Sequence, residues 1–211
     1  MSLVYQQDIN PTTKLAIWGI EEDEAFFLKK VPLQREIRHP QKRLQHLAGR
    51  YLLQYLYPGF PYNEILIADT RKPYLPYEQY HFSISHCSTY AAAVISTNKR
   101  VGVDIEIPSG RVLRITKKFM HRQEIKAFDI YHSIKNIQYA TIIWCCKEAI
   151  YKWWGWGKID FKDMIRIENF ELQQHGSIQG LFVKEDVTVA LTLYYYQMAD
   201  FCLVWLASDT L

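Results

Sequence analysis

The sequence has 211 residues, 49% of them hydrophobic and 22% charged, enough to bury a core without metal or disulfide staples. A total of 25 Lys and Arg against 22 Asp and Glu gives a net charge of +3, which excludes the broad basic field of a nonspecific nucleic-acid binder and confines any anion site to a local cluster. No apolar run approaches the ~18 residues of a membrane span, and residues 1–10 lack the apolar centre of a signal peptide, so a cytoplasmic chain without membrane or nucleic-acid partners is expected. Cys87, Cys145, Cys146 and Cys202 make no CxxC pair and read as small buried apolar residues rather than zinc ligands or disulfides.

In chain order, residues 15–20 suit a short strand, and 21–30, acidic early and basic late, suit a short helix. Leu44, Leu47, Ala48, Tyr51, Leu52, Tyr55 and Leu56 recur at three- and four-residue steps until Pro58 and Gly59, the pattern of an amphipathic helix. Its polar side carries Arg43, His46 and Arg50, with Arg35, Arg38 and Lys42 just upstream. Residues 65–68, 81–85, 90–96 and 101–107 read as one sheet. Pro108, Ser109 and Gly110 then break the chain. Behind them come expected helices at 112–119, 123–130 and 137–154, then strands at 164–172, 178–183, 187–196 and 201–207. The fold class expected is α+β, in two similar helix-plus-antiparallel-sheet halves, 1–107 and 108–211.

Three constellations carry chemistry. In the 101–106 run Val-Gly-Val-Asp-Ile-Glu, alternate residues share a strand face, so Asp104 and Glu106 point together. Neighbouring carboxylates repel unless they are exposed or a cation neutralises them, and hard oxygen donors suit magnesium better than zinc. A solvent-facing edge strand has the same pattern. On the helix Trp-Cys-Cys-Lys-Glu-Ala-Ile-Tyr-Lys of 144–152, Trp144, Glu148 and Lys152 form one stripe. An ordinary surface ion pair has this spacing too, but Lys147 and Lys158 nearby add charge suited to a metal-bound polyphosphate. Phe-Ser-Ile-Ser-His of 82–86, preceded by Arg71-Lys72-Pro73, sets hydroxyls, an imidazole and a lysine where they can grip a phosphate.

The order Lys-Pro, Ser-Ile-Ser-His, Gly-Val-Asp-Ile-Glu and Trp-x-x-Lys-Glu-Ala-x-x-Lys resembles the 4'-phosphopantetheinyl transferases of the larger, pseudo-dimeric, surfactin-synthetase-activating type, over residues 35–158. The resemblance implies transfer of the phosphopantetheine arm of coenzyme A to a serine of an apo acyl or peptidyl carrier protein, releasing adenosine 3',5'-bisphosphate. It implies Asp104, Glu106 and Glu148 as ligands of Mg2+ or Mn2+ in a cleft between the halves, and Lys152 as the residue steadying the diphosphate. Glu148, directly or through a metal-bound water, is the implied base. Ser85 and His86 are implied at the coenzyme A phosphates and Lys72 near the adenosine. Among Arg35, Arg38, Arg43 and Arg50, Arg38 and Arg43 are favoured for coenzyme A. Both halves on one chain imply a monomer. One departure is Arg71, where the family usually has glycine before Lys-Pro. A magnesium-dependent phosphohydrolase or nucleotidyl enzyme would use the same carboxylates, and an interaction or sugar-binding module would use exposed Trp153, Trp154 and Trp156.

Overall fold

The computed structural model of the protein describes residues 2–209, and these divide into two compact units, 2–101 with Asp209, and 102–208. The first unit holds a four-stranded antiparallel sheet and one long helix. Strand β1 (Leu3–Asn10) pairs with β2 (Thr13–Gly19), which pairs with β6 (Tyr90–Ser96), which pairs with β5 (His81–Cys87). The sequence reading omits β1 because Gln6, Gln7 and Asp8 dilute its apolar content. Its burial nevertheless alternates along the strand, and the Thr12 backbone N–H donates to Asn10 Oδ1 at 2.9 Å to turn the chain into β2. A small hairpin joins β3 (Leu66–Ile67) to β4 (Pro73–Tyr74).

Helix α1 (Glu24–Leu28) is short, and α2 (Pro40–Leu56) is the expected amphipathic helix. Pro40 opens α2 where a missing N–H costs nothing, and the His39 side chain accepts from the Lys42 backbone. Leu47, Ala48, Leu52, Leu53 and Leu56 are buried on the sheet with Trp18, Phe82 and Ala93. A Cβ on Gly49 would stand 2.6 Å from Ile84 Cγ2. Glycine at this position therefore lets α2 approach β5 closely.

The second unit has a five-stranded antiparallel sheet in the order β7 (Arg100–Glu106), β11 (Cys202–Ser208), β10 (Val187–Gln197), β9 (His175–Lys184) and β8 (Ile165–Ile167). Strand β7, grouped by sequence with the strands before it, belongs to this later sheet. It is also not a solvent-facing edge with alternating burial, because residues 101–105 are all buried and both of its faces are covered. A 3₁₀ turn (Val112–Ile115) and the short helices α3 (Thr116–Phe119) and α4 (Arg122–Ala127) lead to α5 (Asn136–Trp154). Helix α5 packs on β11 and ends at Gly155, whose φ of 79° supplies the left-handed cap. All four cysteines are buried and free, as expected.

Candidate functional site

Two clusters of ionisable side chains stand out in the first unit. The close approach of α2 to β5 at Gly49 groups Arg50 and His46 with His86 and the loop residue Arg35. Arg50 is 5% exposed, and among the described residues its Nε and Nη1 have no hydrogen-bond partner. His46 Nε2 is likewise buried without one. Burial, then the charges of Arg50 and Arg35 and the His86 ring, press the His46 pKa down to about 4. Burial and Arg35 lower that of Arg50 to about 10. Buried donors that lack acceptors, under mutual repulsion, have the chemistry to receive an anion.

The arginines favoured from sequence are placed differently. Arg43 makes a two-point ion pair with Glu24, through Nη2 at 2.7 Å and Nε at 2.8 Å, and donates to the Ile37 carbonyl. Arg38 lies at the surface, paired with Glu36. Ser85 is buried and His86 exposed on β5.

The second cluster surrounds Lys72, whose ammonium is brought down to about 8 by burial and by Arg100, with Glu78 opposing. His81 is lowered by burial and shares these neighbours. Arg71, the departure from the family pattern, has φ 66°. It therefore takes up the left-handed conformation for which glycine is the natural residue. Its N–H donates to the Ala68 carbonyl, and the Ala68 N–H to the Lys72 carbonyl, so the turn forms in spite of the side chain.

In the second unit, the stripe on α5 meets the carboxylates of β7 in register. Trp144 Nε1 donates to Glu106 Oε1 at 3.3 Å, and Lys152 Nζ to Asp104 Oδ1 at 2.7 Å and to the Val103 carbonyl at 3.1 Å. Glu148 lies between them on the same face. The helix and strand can be this close because residue 102 is glycine: a Cβ there would stand 2.0 Å from the Ala149 carbonyl oxygen. Asp104 is only 3% exposed. Burial, then Asp104, raise the Glu148 carboxyl to about 7, with Glu106 adding to the effect and Lys152 opposing it. Glu106 is raised by burial and Asp104, against its hydrogen bond from Trp144.

Three carboxylates thus lie near one ammonium, which pairs with Asp104, and burial together with the surplus negative charge gives Glu148 its affinity for a proton. That is the charge and donor chemistry a hard divalent cation relieves. With Asp104 closed on Lys152, no group of three or more His, Cys, Asp or Glu among the described residues is gathered to hold a metal ion.

Lys147 does not join this site. It is fully buried and donates to Glu124 Oε2 at 2.8 Å and to the carbonyls of Phe161 and Ile165. Trp153 and Trp154 are buried too, at 0% and 7%, so of the three tryptophans only Trp156 offers an exposed platform. Sequence reasoning passed over Glu124 and the neighbours of Lys72. A capping residue three places into a short helix gives no sign that it also meets a lysine 23 residues away.

Residues 100–203 match the model of the 4'-phosphopantetheinyl transferase superfamily. The chain is similar to enterobactin synthase component D of Escherichia coli K12, at 35% identity over 41% of this chain and 45% of the relative. It is also similar to 4'-phosphopantetheinyl transferase gsp of Aneurinibacillus migulanus, at 28% identity over 70% of this chain and 59% of the relative. The chain thus spans about half the length of these relatives. No helix among the described residues is long and apolar enough to cross a membrane.

Proposed function

Because the chain belongs, through residues 100–203, to the 4'-phosphopantetheinyl transferase superfamily, we propose that it transfers the phosphopantetheine arm of coenzyme A to a serine of an apo carrier protein and releases adenosine 3',5'-bisphosphate. The observation that carries this reading is the meeting of Trp144, Glu148 and Lys152 with Glu106 and Asp104, inside the matched segment. The reaction is phosphoryl transfer: the serine oxygen attacks the pantetheine-bearing phosphorus, and the bond from that phosphorus to the bridging oxygen breaks.

Asp104, Glu106 and Glu148 would supply the oxygen donors for a divalent cation, which would neutralise the diphosphate. Lys152 donates to diphosphate oxygens and steadies the leaving group. Glu148, with a carboxyl brought to about 7, has the proton affinity suited to take the serine proton near neutral pH.

For coenzyme A, the unpartnered donors of Arg50 and His46, with Arg35 and His86, form the phosphate cradle. Ser85 on β5 and, in the separate second cluster, Lys72 are further candidates for polar contacts with coenzyme A. Arg38 and Arg43, held by Glu36 and Glu24, are the weaker candidates. For the carrier, the second unit offers exposed Arg111, Arg114, Lys117, Lys118, Arg122 and Lys126, while Glu124, the one acid of this stretch, is buried. Beside them is a cleft of about 400 Å³ floored by Met120 and Ile125 and edged by Lys117, Arg122 and Lys162. A partner with an acidic surface and a protruding apolar side chain suits it.

The test measures adenosine 3',5'-bisphosphate after incubation with coenzyme A and Mg2+, with and without an apo carrier. Release only with the carrier supports the transferase. Equal release without it supports the phosphohydrolase, which the comparisons with relatives do not favour.

A further inference from the structure

Lys147 and Glu124 are both almost fully buried, at 0% and 4% exposure, and neither touches the carboxylate site. Removing two charges from water is unfavourable unless every donor and acceptor is satisfied, and here they are. Lys147 Nζ has three acceptors: Glu124 Oε2, the Phe161 carbonyl at 3.0 Å and the Ile165 carbonyl at 2.9 Å. Glu124 Oε1 accepts from the Ile167 N–H at 2.8 Å, and Oε2 also from the His121 N–H, closing the capping box of α4. The pair therefore fastens α5 to α4, to the segment around Phe161 and to β8, all at the residue preceding Glu148.

The residue following Glu148 is fixed as well, because the Ala149 carbonyl lies against Gly102 of the strand that carries Asp104 and Glu106. Glu148 is thus held between two anchored neighbours, one on each side of the helix.

We propose that the Glu124–Lys147 pair is a positioning device that sets the rotation and height of α5, so that Glu148 is presented to Asp104 and Glu106, the carboxylates that with it would hold a divalent cation. The inference rests on the reading of these three carboxylates as ligands. An apolar pair would fill the space, but only a charged pair with five directed hydrogen bonds defines a single helix register.

The test uses the full chain and Mn2+ as the probe, read by electron paramagnetic resonance, alongside thermal melting. Glu124→Gln leaves Lys147 buried without a countercharge and should melt well below the wild type. The double variant Glu124→Gln/Lys147→Met removes both charges and should regain most of that loss, since uncharged replacements of buried pairs are often close to neutral. Despite its restored stability, the double variant should bind Mn2+ about 10- to 100-fold more weakly, the usual effect of losing a residue that orients a ligand. Its coenzyme A affinity measured without metal should match wild type, because neither residue contacts Arg50, His46 or Lys72. Mn2+ binding by the double variant equal to wild type would overturn the proposal and leave the carboxylate reading intact. Absence of Mn2+ binding by the wild type would overturn both.

Discussion

Lys152 Nζ stands 2.7 Å from Asp104 Oδ1, so the ammonium holds the carboxylate that a divalent cation would claim. On the proposed reading, lysine and metal would be alternative partners for Asp104, and a bound metal would leave Lys152 free to donate to phosphate oxygens. Lys152→Gln should therefore bind Mn2+ at least as tightly as wild type while transferring more slowly. A hydrogen bond from a charged donor is worth about 1.5 to 3 kcal/mol, or roughly a 10- to 150-fold loss of rate. Isothermal titration with Mn2+ beside initial rates checks both parts. Weaker metal binding in the variant would show that Lys152 supports the site rather than competing for it.

Glu148→Gln keeps the shape of the side chain but removes the carboxylate proposed to accept the serine proton. Transfer should fall about 10²- to 10⁴-fold, with the circular dichroism spectrum unchanged because neither of Glu148's anchored neighbours is altered. A wild-type rate in this variant would remove Glu148 from the chemistry.

The pH dependence of coenzyme A binding should report His46. In the ligand-free protein its pKa is pressed down to about 4, chiefly by burial and then by Arg50, Arg35 and His86. Between that value and its ordinary 6.5, the unfolded chain takes a proton that the folded chain refuses. Stability is therefore undiminished above pH 6.5 and declines as the pH falls toward 4. A phosphate bound there would reverse the balance, because it would neutralise the arginines and pair with the imidazolium. Binding should then take up protons, and coenzyme A affinity should gain on His46→Gln as the pH is lowered from 7.5 to 5.5. Using the variant as reference cancels the titration of the phosphate itself. Parallel pH profiles for the two proteins would exclude His46 from the cradle.

Those parts of the fold governed by short-range periodicity were legible in the sequence. Helix α2 follows from leucine spacing and the stop at Pro58 and Gly59, and the stripe of Trp144, Glu148 and Lys152 follows from i, i+4 geometry. What escaped the sequence depends on contacts distant in the chain. Nothing within residues 100–106 shows that β7 pairs with β11, a strand that begins only at Cys202. Lys147 and Glu148 are adjacent and both charged, yet one is sealed against Glu124 and the other faces the carboxylates. Only the helical phase relative to β8 separates them. Among the arginines, sequence placed Arg43 ahead of Arg50. The structure shows Glu24 satisfying Arg43, while Arg50 keeps unpartnered donors.

Arg71 offers a test of local strain. With φ at 66°, it occupies a conformation that costs a residue with a Cβ about 1 to 2 kcal/mol and costs glycine little. Arg71→Gly should therefore raise the melting midpoint, by roughly 2 to 4 °C for each kcal/mol gained in a chain of this size. Loss of stability in that variant would mean that the arginine side chain contributes more than its backbone strain costs.

The most direct test of the central claim is the intact mass of an apo carrier protein after incubation with this protein, coenzyme A and Mg2+. A matched carrier whose acceptor serine is replaced by alanine serves as control. The account predicts that the serine carrier gains the mass of one phosphopantetheinyl group, with one adenosine 3',5'-bisphosphate released per carrier, and that the alanine carrier gains nothing. Unmodified serine carriers from fatty-acid, polyketide and nonribosomal-peptide pathways alike, with coenzyme A bound and Mg2+ present, would contradict it.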